Sequence, residues 1–81
     1  MEYLFTVENT FMVSGRGLIL TSGPRNKNIK VGNSIILILP NNTKIESKIR
    51  GIDFWENFSI LIGEELQKKD VPIGTEVWLK E

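Results

Sequence analysis

The stretch FMVSGRGLIL, from Phe11 to Leu20, sets the fold class for the whole chain. It is an apolar, strand-like run that is broken by Gly15, Arg16 and Gly17 and then resumes. Glycine accepts positive φ angles that other residues avoid, so this pattern favours a tight turn joining two strands. Paired glycines also let another molecule approach the main chain closely, and the residues permit this second interpretation. The stretch therefore predicts a β turn, and it is also compatible with a binding surface at this turn.

Short runs rich in β-branched and aromatic residues recur along the 81 residues, separated by Gly, Asn and Pro clusters. They predict six strands: Tyr3–Val7, Gly17–Ser22, Ser34–Leu39, Lys44–Ile52, Phe58–Ile62 and Glu76–Leu79. Alternation fails around Arg50 and Gly51, which indicates a bulge or bend there. The segment EELQKKDVP is expected to form one short helical turn that Pro72 ends. We therefore predict one domain over residues 1–81, all-β, a small six- to seven-stranded antiparallel barrel with at most one short helical turn.

The composition is that of an ordinary globular protein, with 41% apolar residues, 25% charged residues and zero formal net charge. No apolar run approaches the ~20 residues of a membrane-spanning helix, and no secretory signal is visible. We therefore expect a cytoplasmic protein without a membrane partner. From Arg16 to Arg50 the chain has seven basic residues and one acidic residue, whereas residues 51–81 have three basic and seven acidic. This asymmetry predicts either two oppositely charged faces or solvated charges mixed on the surface.

The residue types disfavour catalysis. The chain has no His and no Cys, so the commonest general base, the thiolate nucleophile and the usual transition-metal ligands are missing. The Gly-Arg-Gly turn lacks the Gly-Lys-Ser/Thr ending of a Walker loop and the strand and helix of a dinucleotide loop. Asp53 and Glu56 show no sign of facing each other across a cleft. We therefore expect no enzyme activity, no metal and no cofactor.

The segment DFWENF, residues 53–58, concentrates three aromatic residues. Exposed aromatic rings stack on nucleobases or anchor protein interfaces, but aromatics this dense usually complete a core. No basic residue lies between them to attract a phosphate backbone. A core role and a partner-binding role for Trp55 both stay open, and Trp78 is a further candidate if the interface is aromatic.

Four segments occur in an order that resembles a known family: FTVENTFMVSGRGLIL at 5–20, IKVGNSIILI at 29–38, RGID at 50–53 and DVPIGTEV at 70–77. The family is the second, β-barrel domain of translational GTPases such as elongation factor Tu. The first segment is the most specific, since a strand, an acidic turn and a phenylalanine lead into Gly-Arg-Gly and an apolar strand. Together the segments span nearly the whole chain. The resemblance implies the barrel fold and a non-catalytic docking module that does not use GTP, because the sequence contains no GTP-binding domain.

The resemblance also implies where a partner binds. In the family, the Gly-Arg-Gly turn leads the chain from the first strand into the second, and adjoining residues help to form the pocket for the terminal adenosine of aminoacyl-tRNA. Carried over, the matching positions are Val13, Gly15 and Ile19, where apolar side chains and bare backbone would hold a base. Arg16, whose guanidinium grips phosphate or carboxylate, and Trp55 complete the expected partner-binding set. The loop after the RGID segment is shorter than in the family, so RNA and protein both remain candidate partners.

Two functions follow. The first is a stand-alone binding module on a translation-factor-type barrel, which docks RNA or protein on the surface from Val13 to Ile19. The second is a protein–protein adaptor, regulator or subunit with no nucleic-acid role, whose interface is built around Trp55. Self-association through an exposed edge strand, which would give a homo-oligomer, is left open.

Overall fold

The computed structural model describes residues 1–22, 29–53 and 58–80. Within this part of the chain lie eight strands and one 3-10 turn, at Lys68–Asp70. The strands are β1 Glu2–Thr6, β2 Asn9–Val13, β3 Gly17–Ser22, β4 Ser34–Ile38, β5 Lys44–Lys48, β6 Gly51–Asp53, β7 Phe58–Ile62 and β8 Glu76–Leu79. The all-β class is therefore confirmed, and the short helical turn lies in the segment where it is expected. In the described ranges, no helix has the length and apolar character that crossing a membrane requires.

The strands form two antiparallel sheets of four strands each. Sheet 1 has the order β1-β8-β4-β5, and sheet 2 has the order β2-β3-β7-β6. Two short corners connect the edges of the sheets: Val7 and Glu8 between β1 and β2, and Ile49 and Arg50 between β5 and β6. Backbone hydrogen bonds hold both corners: the Val7 N–H donates to the Thr75 carbonyl and the Arg50 N–H to a β7 carbonyl, each at 2.7 Å. Each edge of sheet 1 is therefore connected by the chain to an edge of sheet 2.

The predicted barrel needs correction. Instead of six or seven strands in one barrel, the described residues form eight strands in two sheets, and no single closed barrel is found among them. The missed strand is β2, so the Gly-Arg-Gly turn joins the second strand to the third and not the first to the second. The predicted strand Lys44–Ile52 is two strands, because the chain bends at Ile49 and Arg50, close to the bend that the sequence indicates. The other five predicted strands agree with the structure to within one residue at either end.

The core lies between the two sheets and takes side chains from both. Successive residues of a strand point to opposite faces, so alternate positions are buried. Leu18 and Leu20 of β3 are buried, for example, whereas Ile19 between them is half-buried. The buried apolar residues form one cluster: Leu4, Phe5, Val7, Leu18, Leu20, Ile29, Ile35, Leu37, Ile49, Ile60, Ile62, Val71 and Val77. Removing these side chains from water is the main force that holds the sheets together.

The Gly-Arg-Gly turn joins β2 to β3 tightly, as the sequence predicts. The Arg16 N–H donates to the Val13 carbonyl at 3.0 Å, and Gly15, with φ of 79°, supplies the positive angle that a type II turn needs at its third residue. Gly17 has φ of 141°, and a Cβ atom built on it would overlap the carbonyl oxygen of Ile62 in β7. Only glycine fits at the start of β3, because β3 and β7 approach each other too closely there.

Candidate partner-binding site

The outer face of sheet 2 carries an apolar row with one residue from each strand. Phe11 of β2 lies beside Ile19 of β3, Ile19 beside Leu61 of β7, and Leu61 beside Gly51 of β6. Phe11 is 50% exposed, and the side chains of Ile19 and Leu61 are half-buried. The solvent-facing side of an antiparallel sheet is usually polar. An apolar row in this position therefore marks a surface that is able to receive another molecule.

A cavity of about 250 Å³ opens on this face, beside the glycine that ends the row. It is open-sided and lies between the β2–β3 turn and strands β6 and β7. Residues that line it include Val13, Arg16, Ile19, Gly51, Asp53 and Leu61. A Cβ atom on Gly51 would meet the Leu61 side chain at 3.4 Å, which is ordinary van der Waals contact. The backbone therefore does not require glycine at position 51, and the missing side chain is what leaves the cavity open.

The structure brings together three of the five residues that the sequence predicts for partner binding. Val13, Arg16 and Ile19 all line the cavity. Gly15 is exposed in the turn and is not among the lining residues. Trp55 lies outside the described residues, so its place relative to the cavity is not assigned.

Sequence reasoning missed the far side of the cavity, which β6 and β7 supply. Gly51 and Asp53 come from β6, and Ser59 and Leu61 come from β7. A signal for Leu61 is present in the sequence, because the runs GLIL and SILI are apolar at consecutive positions, on both faces of their strands. In a small antiparallel sheet with one buried face, such runs indicate an apolar outer surface as well.

Few charges lie at the cavity. Arg16 and Asp53 are both exposed and contribute one positive and one negative charge to its lining. Other described basic residues lie elsewhere, with Lys44 and Lys48 on β5 of sheet 1. Among the described residues, no group of three or more acidic side chains is arranged to hold a metal ion. The arrangement suits non-covalent binding of a largely apolar group, with one charged residue of each sign in the lining.

The outer face of sheet 1 carries a second row, which its own side chains fill. Tyr3 lies beside Trp78, Trp78 beside Ile36, and Ile36 beside Glu46. The rings of Tyr3 and Trp78 pack edge to face with centroids 5.3 Å apart. The indole Nε1–H donates to the Glu76 carboxylate at 3.0 Å. Trp78 is thus fixed by a ring contact and a hydrogen bond, which leaves this aromatic pair with a role in packing.

Comparisons of this chain with protein families, with curated proteins and with solved structures find no match. The basis for assigning a function is therefore the geometry of the cavity together with the sequence pattern.

Proposed function

We propose that the protein is a non-catalytic binding module whose partner docks in the cavity on the outer face of sheet 2. The main support is that Val13, Arg16 and Ile19, which belong to a strand, a turn and the following strand, meet at one cavity. The sequence pattern that indicates these positions does not depend on the pairing between β3 and β7. Two independent arguments, one from sequence and one from surface shape, thus favour the same place.

The order of the strands supports kinship with the second domain of translational GTPases. If β1 and β2 are counted as one bent strand, and β5 and β6 as another, the neighbours run from β1/β2 through β8, β4, β5/β6, β7 and β3 back to β2. A six-membered circuit of this kind is what a small barrel would give if its ladder were interrupted at two corners. The proposal is therefore a translation-factor-type binding module.

The charge at the cavity favours a protein over RNA as the partner. RNA affinity draws heavily on contacts between basic side chains and phosphates. Here Arg16 is the basic lining residue, and the Asp53 carboxylate, which also lines the cavity, repels phosphate. An apolar side chain of a protein partner would instead bury the exposed faces of Ile19 and Leu61. We therefore propose a protein segment that inserts an apolar side chain, with RNA as the competing outcome.

The substitution Gly51→Val tests this by filling the cavity without disturbing the strand. Valine favours strands, and a Cβ atom at this position has room. The matched control is Glu46→Val, which adds the same side chain at the corresponding end of the sheet 1 row. Peptides selected from a displayed random library on the wild-type protein should lose at least about tenfold in affinity for Gly51→Val, or about 1.4 kcal/mol. They should bind Glu46→Val as they bind the wild type, and both variants should keep their thermal transition.

Titration with a mixed RNA pool tests the competing possibility, that the partner is RNA. If RNA binds, and its affinity falls steeply with salt and is lost in Arg16→Ala, then the partner is RNA and not a protein. If neither peptides nor RNA bind in a way that depends on Gly51 or Arg16, the binding-module proposal fails.

The alternative function, a protein–protein adaptor built around Trp55, needs its own test. Trp78 is already held by Tyr3 and Glu76, so Trp55 is the aromatic residue on which this alternative depends. Replacing Trp55 by Ser should abolish capture of the partner while the thermal transition stays nearly unchanged. Loss of folding would assign Trp55 to the core.

A further inference from the structure

We propose that the cavity on sheet 2 recognises an extended peptide segment with a defined charge pattern. An apolar residue fills the cavity, an acidic residue lies two positions away on one side of it, and a basic residue lies two positions away on the other. This inference rests on the proposed function and specifies the chemistry of its partner. The observation behind it is that the two charged lining residues, Arg16 and Asp53, lie on opposite sides of the apolar row.

The register of sheet 2 gives the cavity an acidic end and a basic end. The apolar row crosses the sheet through Ile19 of β3 and Gly51 of β6. Asp53 lies two residues beyond Gly51, on one side of this row. Gly17 lies two residues before Ile19, on the other side, and Arg16 precedes it in the turn. The two charges are therefore separated along the direction of the strands.

This separation matches the side-chain spacing of an extended segment. A strand rises about 3.3 Å per residue, so the levels of Asp53 and Gly17 are about 13 Å apart along the strands. In an extended segment alternate side chains point to the same face. When one of them enters the cavity, the side chains two positions before and after it also face the sheet, about 13 Å from each other. The long side chain of Arg16 and those of the partner span the sideways offset between β3 and β6.

Opposite charges at the two ends of the cavity require opposite charges in the partner. Arg16 and Asp53 are both exposed, so Arg16 attracts an acidic side chain and Asp53 a basic one, and each repels a like charge. The segment is able to run in either direction, because reversing the chain and exchanging its two charges present the same groups. A nucleic-acid backbone carries negative charge only. A polypeptide carries both signs and is therefore the ligand that complements both ends.

The size of the cavity suits a single side chain. Its volume of about 250 Å³ is below the roughly 300–1,000 Å³ of sites that enclose a drug-sized molecule. Because the cavity is open-sided, the remainder of a longer segment stays outside it. We therefore place the apolar side chain in the cavity and the two charged side chains at its rim.

Selection of peptides from a displayed random library tests the charge pattern. Peptides that bind the wild type, when aligned on their apolar residue, should be enriched in one acidic and one basic residue two positions to either side. Arg16→Glu should select basic residues at both positions, and Asp53→Lys should select acidic residues at both. The matched control Lys44→Glu makes the same charge reversal on β5 of sheet 1 and should select the wild-type pattern. Far-ultraviolet circular dichroism verifies that each variant is folded.

A permuted peptide tests the spacing on the wild type alone. In the tightest selected peptide, each charged residue is exchanged with its neighbour next to the apolar residue. The composition is unchanged, but in an extended segment both charges now point away from the sheet. Affinity should fall by about threefold or more at low salt, and the difference should shrink at high salt.

The outcomes separate this inference from the proposed function. Peptides that lose affinity in Gly51→Val but show no charge pattern, or bind equally well after permutation, would overturn the inference and leave the binding module in place. Folded Arg16→Glu and Asp53→Lys variants that select the wild-type pattern would also overturn it. If no peptide binds in a way that depends on Gly51, the proposed peptide partner fails, and the charge pattern fails with it.

Discussion

On the outer face of each sheet, a largely apolar row has a residue from every strand: Tyr3, Trp78, Ile36 and Glu46 in sheet 1, and Phe11, Ile19, Leu61 and Gly51 in sheet 2. In sheet 1 two aromatic rings cover each other, and the row ends on a glutamate that pairs with Lys80. In sheet 2 the apolar side chains of Phe11, Ile19 and Leu61 are followed by a glycine, and a cavity opens beside it. Two sheets with the same number of strands thus differ in whether their own side chains cover the outer face.

Because of this difference, we expect the row on sheet 1 to contribute to stability and the row on sheet 2 to contribute to binding. Side chains that contact each other on sheet 1 already gain their packing energy in the free protein. The row on sheet 2 still has apolar surface in contact with water, so a partner gains by covering it. Substitutions in the first row should therefore act mainly on the free energy of unfolding. Those in the second should act mainly on partner affinity.

The largest expected effect comes from Gly17→Ala, which would disrupt the pairing of β3 with β7 in sheet 2. The outer row of sheet 2 would then be lost, whereas that of sheet 1 would remain. The new Cβ atom overlaps the Ile62 carbonyl oxygen, and φ at this residue is strongly positive. We expect a loss of at least about 3 kcal/mol in the free energy of unfolding, measured in urea. Gly15→Ala is the control, since it has positive φ but no atom within 4 Å, and should cost about 1 kcal/mol. Equal losses in the two variants would contradict the close approach of β3 and β7.

The second effect compares the two rows directly. Trp78→Ala removes the edge-to-face contact with Tyr3 and part of a half-buried ring, and we expect it to cost about 2 to 3 kcal/mol. Leu61→Ala removes a half-buried side chain beside the cavity, so it should cost about 1 kcal/mol and abolish peptide binding. Thermal unfolding and peptide titration of both variants give the two readouts. The reverse order of stabilities would show that sheet 2 is the better packed outer face.

A smaller effect concerns a hydroxyl on the inner face of sheet 1. Ser47 of β5 is buried, and its Oγ has no hydrogen-bond partner among the described residues. Ser47→Ala should leave the free energy of unfolding unchanged or raise it by up to about 1 kcal/mol, because a desolvated hydroxyl is removed. The control is Thr75→Val, since the Thr75 Oγ1 donates to the Pro72 carbonyl at 2.7 Å. That variant should lose about 1 to 2 kcal/mol in the same urea experiment. A clear loss in Ser47→Ala would point to a partner for its hydroxyl.

The smallest effect is expected at the charged end of the sheet 1 row. The Lys80 Nζ lies 3.0 Å from the Glu46 Oε1, and both side chains are about half exposed. Lys80→Ala should lower the free energy of unfolding by less than about 0.5 kcal/mol, and high salt should remove the difference. Urea unfolding at two salt concentrations measures it. A larger effect that is insensitive to salt would mean that the aliphatic part of Lys80 covers the row.

Local features of the fold were predictable, and features that depend on pairing were not. The Gly-Arg-Gly turn follows from residue types that favour turns, which is a property of a few adjacent residues. The strand β2 was missed because Phe11, Met12 and Val13 are consecutive apolar residues, so its sequence shows no alternation between apolar and polar positions. Its strand conformation depends on pairing with β3.

The same limit applies to the cavity. The side formed by Val13, Arg16 and Ile19 lies within one hairpin, so a motif in a short stretch of sequence was enough to select it. To predict the side formed by Gly51 and Leu61, one must know the register in which β3, β7 and β6 pair. Segments that are distant in sequence meet there, and composition and periodicity do not specify their register.

The pairing of β1 with β8 affects the order in which the protein folds. Glu2 lies beside Leu79, so this ladder joins segments from opposite ends of the sequence. Closing so long a loop is slow, since its entropic cost precedes any gain from contacts. The β2–β3 hairpin is local and can form early, whereas the ladder between β1 and β8 cannot be completed until residue 79 has left the ribosome. During synthesis sheet 1 is therefore the last to be completed, and the hairpin that carries Arg16 is among the first parts to form.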